Sequence, residues 1–247
     1  MKKFLLSTIG VLVVLALIVY FGGQFFLGSI VKAGVNEFGP KMTQTRVELA
    51  SASVSPVTGS GTLSGFFVGN PPGWSSDKAF YLGSVHVEIK PSSLLGDHII
   101  INEIVIDQPE FVYETKVVSS NIGDLMKNIE NATGGKSETD PKAKDGKPKK
   151  FEVKKFTLRN GRVTVGVGSA AMTIPMPPIE LTDIGTKEGG VTAGQFTFVV
   201  MRAVTASVIA SSTQAVMKNL PNMGSAAGEA VKKTGEAIKG LFDQKKK

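Results

Sequence analysis

Ile101-Asn-Glu-Ile-Val-Ile-Asp-Gln-Pro-Glu-Phe-Val-Tyr113 reads against Val153-Lys-Lys-Phe-Thr-Leu-Arg-Asn-Gly-Arg-Val-Thr-Val165 at an offset of 52 residues. Ile101, Ile104, Ile106, Phe111 and Tyr113 meet Val153, Phe156, Leu158, Val163 and Val165. Asp107-Gln108-Pro109 meets Arg159-Asn160-Gly161. Each copy reads as strand, tight turn, strand. A repeated hairpin suggests an extended sheet built by stacking. The plainer alternative is two ordinary hairpins of one sheet.

The neighbouring segments extend the β reading. Tyr81, Gly83, Val85, Val87 and Ile89 alternate with Leu82, Ser84, His86, Glu88 and Lys90. That is the period of a strand with one apolar and one polar face. His98 to Ile106 is apolar on both parities, as in a central strand covered on both sides. Val163, Val165 and Val167 form one strand face, and Phe196, Phe198 and Val200 another. Asn121 is a plausible N-cap for a short helix, with Ile122, Leu125, Met126 and Ile129 on one side. Residues 131–150, rich in Gly, Pro and mixed charge, read as a flexible linker. Residues 203–220 can form a helix of moderate propensity. Residues 225–242 read as an amphipathic helix before the terminal Lys245-Lys246-Lys247, suited to a membrane surface or to capping the sheet.

The N-terminus carries a different signal. Lys2 and Lys3 precede residues 4–31, which contain no charge, and the densest part runs from Phe4 to Phe21. At ~1.5 Å per residue this core spans about 27 Å, near the thickness of a bilayer's hydrocarbon layer. The run is longer than a cleaved signal needs and lacks a small-residue cleavage site, so it reads as an anchor. The flanking lysines place the N-terminus in the cytoplasm and the body outside it. Beyond it, Phe26, Ile30, Val31, Val35 and Phe38 fall at helical spacing. They suggest a helix that packs one face on the body and ends at Gly39-Pro40.

The chain has 247 residues, a net charge of +7 and no cysteine. Much of the positive charge sits in the linker and the tail, and aromatics are not interleaved with it. This speaks against nucleic-acid binding and for proximity to an anionic membrane surface. Without cysteine there are no disulfides, thiolate chemistry or Cys-based zinc sites. The two histidines, His86 and His98, sit on a polar strand face and near a turn. No nucleophile, P-loop or metalloprotease pattern is present, so the residues point away from an enzyme and imply no cofactor.

These features together resemble the AsmA-like family of bacterial envelope proteins. The likeness is sharpest at Gly61-Thr-Leu-Ser-Gly65-Phe-Phe-Val-Gly69-Asn70-Pro71-Pro72-Gly73-Trp74, which resembles the family's G-x-L-x-G strand and N-P-x-G-[FW] turn. Leu82-Gly83, Ser93-Leu94-Leu95, Ile101 to Glu114 with its I-x-I-D-x-P-E, and Asn121 leading a short helix follow in family order. The hairpin Phe156 to Gly161 and the segment Pro177 to Gly185 complete the series. In the turn Gly69-Asn70-Pro71-Pro72-Gly73-Trp74, the prolines restrict the backbone and Gly73 permits positive φ. Trp74 can staple it to the core, a structural role.

The resemblance implies an inner-membrane protein whose periplasmic body takes part in envelope biogenesis, with membrane lipid, and possible envelope proteins, as its partners. It adds a groove-like β-sheet that binds phospholipid. The expected fold is mainly β with α: a transmembrane helix, a curved antiparallel sheet of repeating hairpins, and a C-terminal amphipathic helix. The expected division is an anchor at 1–31, a β-rich region at 32–130 and a linker at 131–150. A second hairpin region at 151–202 and a helical tail at 203–247 follow. Candidate groove residues are Val85, Val87, Ile89, Ile104 and Ile106. The alternative is a membrane-tethered scaffold with a closed core that binds proteins. Oligomeric state is not legible.

Overall fold

The two echoed segments lie side by side as parallel strands, not as two hairpins. In the computed structural model, which describes residues 26–116, 119–133, 149–166 and 171–219 (side chains to 214), β4 (His98–Asp107) pairs with β6 (Lys150–Arg159). β5 (Glu110–Tyr113) pairs with β7 (Arg162–Val165). Both ladders are parallel and both hold the offset of 52: Ile101 faces Val153, Ile106 faces Leu158, Phe111 faces Val163. The sequence echo is therefore the pairing register itself.

Asp107-Gln108-Pro109 and Arg159-Asn160-Gly161 do not reverse the chain. Along β3 (Lys78–Ile89), Asp107 faces Ser84 and Glu110 faces Tyr81, so β4 and β5 continue in one direction past a kink. Gln108 (φ 54°) and Asn160 (φ 56°) are both left-handed at that kink. Such a residue costs an L-amino acid about 1–2 kcal/mol, least for Asn. The Asn160 amide donates to Asp107 Oδ1 at 2.7 Å, stitching the two kinks together.

The irregularity crosses the whole sheet. β1 (Val47–Val54) pairs with β2 (Ser60–Gly69), and β2 with β3, both antiparallel. β8 (Met172–Pro175) pairs with β7, and β9 (Ile179–Ile184) with β6, again antiparallel. The registers align Ala50, Gly65, Gly83, Gln108, Asn160 and Pro177 in one row. Gly65 has φ 65°, and a Cβ there would lie 2.8 Å from that of Ala50, so the row needs glycine at this point.

This row is a crease. On one side of it Phe66, Val68, Phe80 and Leu82 join the core; on the other, Leu63, Val85 and Val87 do. The core-facing parity thus switches from even to odd within single strands, and both leaves turn apolar residues to the same, inner face. The strict alternation read from Tyr81 to Ile89 breaks at Gly83. The two-parity apolar run in β4 has a related cause. The ladder skips Asn102, so Ile101 and Ile104 both reach the core although their parities differ.

The sheet is curved and unclosed, and it is mixed, correcting the expected antiparallel sheet of hairpins. Among the described residues, three α-helices complete it. α1 (26–43) lies along the β1 edge, where Asn36 Oδ1 accepts the Leu49 N–H at 2.7 Å. It runs through Gly39-Pro40, beyond the expected stop, and ends at left-handed Gln44, whose N–H bonds to the Pro40 carbonyl at 2.8 Å. α2 (Asn121–Thr133) buries Ile122, Leu125 and Ile129. Its N-cap is Ser120, whose Oγ accepts the Gly123 N–H at 3.1 Å; Asn121 instead points inward and is fully buried.

α3 (Ala193–Asn219) packs on α2 and on β5 to β9. Phe196, Phe198 and Val200, expected as a strand face, lie in its first turns, so the β region ends before 202. A Thr192–Gln195 capping box sets this start: Gln195 Oε1 accepts from Thr192 N at 2.9 Å and Thr192 Oγ1 from Gln195 N at 3.2 Å. The expected anchor core, 4–21, and the expected amphipathic helix, 225–242, lie outside the described residues.

Candidate functional site: the inner face of the creased sheet

Cross-strand register gathers the candidate residues. Leu63, Val85, Ile106, Leu158 and Ile179 form one row across β2, β3, β4, β6 and β9. Gly61, Val87, Ile104, Phe156 and Leu181 form the next, and Ile89, Ile101, Val153 and Ile184 a third. All five groove candidates therefore stand on one leaf, on the inner face.

Their covering is uneven. Toward β9, α3 closes the rows: Phe196 meets the Phe156 ring edge-on at 6.3 Å, and Met201, Val204 and Val208 are buried there. Val85, Ile104 and Ile106 are buried too. Toward β2 and β3, Leu63, Val87, Ile89 and Ile101 are only half-buried. An apolar strip thus lies between α1 at one edge and α3 at the other. Leu63 and Ile101 belong to it although the sequence pattern did not single them out for the groove. Their signal was register, which no single strand displays.

The outer face has the opposite chemistry. Lys155 pairs with Glu103 at 2.9 Å, Arg159 with Asp107 at 3.4 Å and Lys78 with Glu110 at 2.6 Å, all between strands. The Glu103 bond holds the Lys155 ammonium above its ordinary value. His86 lies 3.6 Å from Glu88, and His98 lies 3.6 Å from Glu152. Among the described residues no group of three or more His, Asp or Glu side chains could hold a metal ion.

No family model matches the chain, and no curated protein or solved structure matches it.

The turn from Gly69 to Trp74 sits at the far end of the other leaf, away from the strip. It is tied to the body by a polar knot. Glu114 accepts from Ser76 N at 2.7 Å, Ser75 N at 2.9 Å and Asn70 Nδ2 at 3.2 Å. Asn121 Nδ2 donates to Asn70 Oδ1 and to the Val112 carbonyl, both at 2.8 Å, and its Oδ1 accepts the Glu114 N–H at 3.0 Å. Trp74 Nε1 donates to Asp124 at 3.0 Å, and Lys116 lies 4.5 Å over the indole. Desolvation raises the Glu114 pKa, but the hydrogen bonds from Ser76 and Ser75 outweigh it and the net direction is down. Gly73 has the positive φ, 90°, that this turn asks of it. Pro71 is buried and Pro72 exposed. The polar side chains of Asn70, Trp74, Glu114, Asn121 and Asp124 bond to other groups of the body.

Among the described residues, Ala193–Gln214 of α3 is long and apolar enough to cross a membrane. In this arrangement it serves as a core helix along the buried stripe of Met201, Val204 and Val208.

Proposed function

We propose that this chain is a short AsmA-like protein of the bacterial envelope that binds phospholipid acyl chains along its sheet. Residues 1–31 anchor it in the inner membrane with the N-terminus cytoplasmic, and the body stands in the periplasm. Its role is binding, not catalysis. One observation carries this reading. The inner-face rows are apolar across five strands, yet Leu63, Val87, Ile89 and Ile101 are left half-buried in an unclosed sheet. Apolar rows of this kind gain ~25 cal/mol for each Å² withdrawn from water, and an acyl chain can supply that cover.

The burial of Val85, Ile104 and Ile106 favours the scaffold reading for that part of the face, where protein already supplies the cover. The two readings part at Val87 and Ile89. A photo-crosslinking amino acid placed at either, in the full chain in native membranes, should capture a phospholipid detectable by mass spectrometry. The same group at Val105, on the outer face, should not. Equal capture at all three positions, or none, would remove the lipid reading and leave the scaffold.

A further inference from the structure

Large apolar side chains are not left exposed at random here. Five are exposed among the described residues: Phe26, Ile30, Val57, Leu95 and Val199. Four of them gather at one end of the sheet. Val57 (65% exposed) is in the β1–β2 turn, which Ser55 and Gly59 close by a backbone bond of 2.8 Å. Leu95 (95% exposed) ends the 3-10 turn Pro91–Leu95 between β3 and β4. The two connections are neighbours: the Ile89 N–H bonds to the Gly59 carbonyl at 2.8 Å, and a Cβ on Gly59 would lie 3.2 Å from Pro91 Cδ.

The described part of α1 starts at the same end. Its Gly28 packs against the Ala52 carbonyl, and its Gly39 against Val47. Eleven helical residues and five strand residues both cover roughly 16 Å, so α1 lies antiparallel to β1 over this length. Phe26 (68% exposed) and Ile30 (53% exposed) stand at the N-terminal end of its described part, expected to face the body but turned outward. The uncharged run 4–25 is joined to the body at this point.

Lysines stand around these tips, interspersed with carboxylates. Lys90, Lys149 and Lys187 lie on the connections of this end and Lys150 starts β6; Asp97 and Glu188 lie on the same connections, and Glu88 and Glu152 near the strand ends. Asp97 is paired with Lys149 at 4.0 Å.

We propose that this end of the sheet seats on a lipid bilayer surface, with Leu95 and Val57 inserted at the depth of the headgroups and the surrounding lysines meeting anionic lipid. Isolated exposed apolar residues are ordinary on a protein surface. Two on adjacent tips, beside a helix that leads out of a membrane-length apolar run, form a line that water does not favour and a bilayer interface does. The contact places the Ile89–Ile101 row of the strip nearest the membrane. It rests on the anchoring reading above, and the test separates the two.

The chain has no cysteine, so single cysteines can be introduced for labelling without removing any. Leu95→Cys, Val57→Cys and, at the opposite end of the sheet, Asp77→Cys would each carry an environment-sensitive fluorophore. The full chain would then be reconstituted into vesicles of phosphatidylethanolamine and phosphatidylglycerol. A nitroxide lipid with a shallow label should quench positions 95 and 57 at least roughly two-fold more than position 77. Chain that floats with the vesicles, with all three positions quenched alike, overturns the seating and leaves the anchor. Chain that does not float overturns both. Excimer emission from pyrene at position 95 would place a second copy on this end and overturn the lipid assignment.

Discussion

The two ends of the sheet solve the same problem in opposite ways. At the end bearing Trp74, the β2–β3 and β5–α2 connections are tied together: Glu114, Asn70 and Asn121 bond to one another and to the backbone, and α2 starts from the knot. At the end bearing Leu95, the connections close on themselves and leave Val57 and Leu95 outside. The same strands serve both ends. The difference therefore lies in covering: the first end is covered by its own chain, and the second leaves Val57 and Leu95 exposed among the described residues, as the proposed bilayer seating requires.

The comparison can be broken at the knot first. Asn121→Ala would strand the Glu114 N–H, the Val112 carbonyl and the Asn70 amide in a buried place. It should cost about 3 kcal/mol or more, seen as a lower denaturant midpoint with an unchanged slope. A loss within the scatter of surface substitutions would mean that the knot does not hold this end.

Glu114→Gln is smaller, at roughly 1–2 kcal/mol near neutral pH, because it keeps the shape and loses the charge-assisted bonds. Its pH dependence gives the sharper reading. The folded pKa is depressed below the ordinary 4.5, so the contribution is whole above that value and is lost as pH falls through the folded pKa. The stability gap between wild type and variant should close on acidification. A constant gap would contradict the bonding seen here. On the half-covered strip, Ile89→Ser should cost least, about 1 kcal/mol, while reducing lipid capture at Val87. A cost of several kcal/mol would instead mean a closed core there.

Much of this fold was legible as a repeat, because Ile101, Ile104, Ile106, Phe111 and Tyr113 share rows with their counterparts and each row wants apolar neighbours. What the pattern could not convey was how the copies meet. A reversing turn and a left-handed kink draw on the same residues, so Asp107-Gln108-Pro109 and Arg159-Asn160-Gly161 suit either. Gly83 hid the change of parity in β3 for the same reason. In α3, aromatic and β-branched residues at alternate positions imitated a strand, and the Thr192–Gln195 box was the sign that a helix starts there. The groove candidates were read strand by strand. Their gathering on one leaf, and the inclusion of Leu63 and Ile101, follow from registers that span long stretches of chain.

The parallel pairing of the two echoed segments carries one more consequence. Because β4–β5 and β6–β7 bend at the same residue and pair at a constant offset, the second copy presents nearly the same edge and angle as the first. Another kinked strand of this pattern, spliced beside β6–β7, would find its register already set. Each insertion would widen the sheet by about 4.8 Å and leave the bend unchanged. Breadth in this architecture is thus a matter of counting copies.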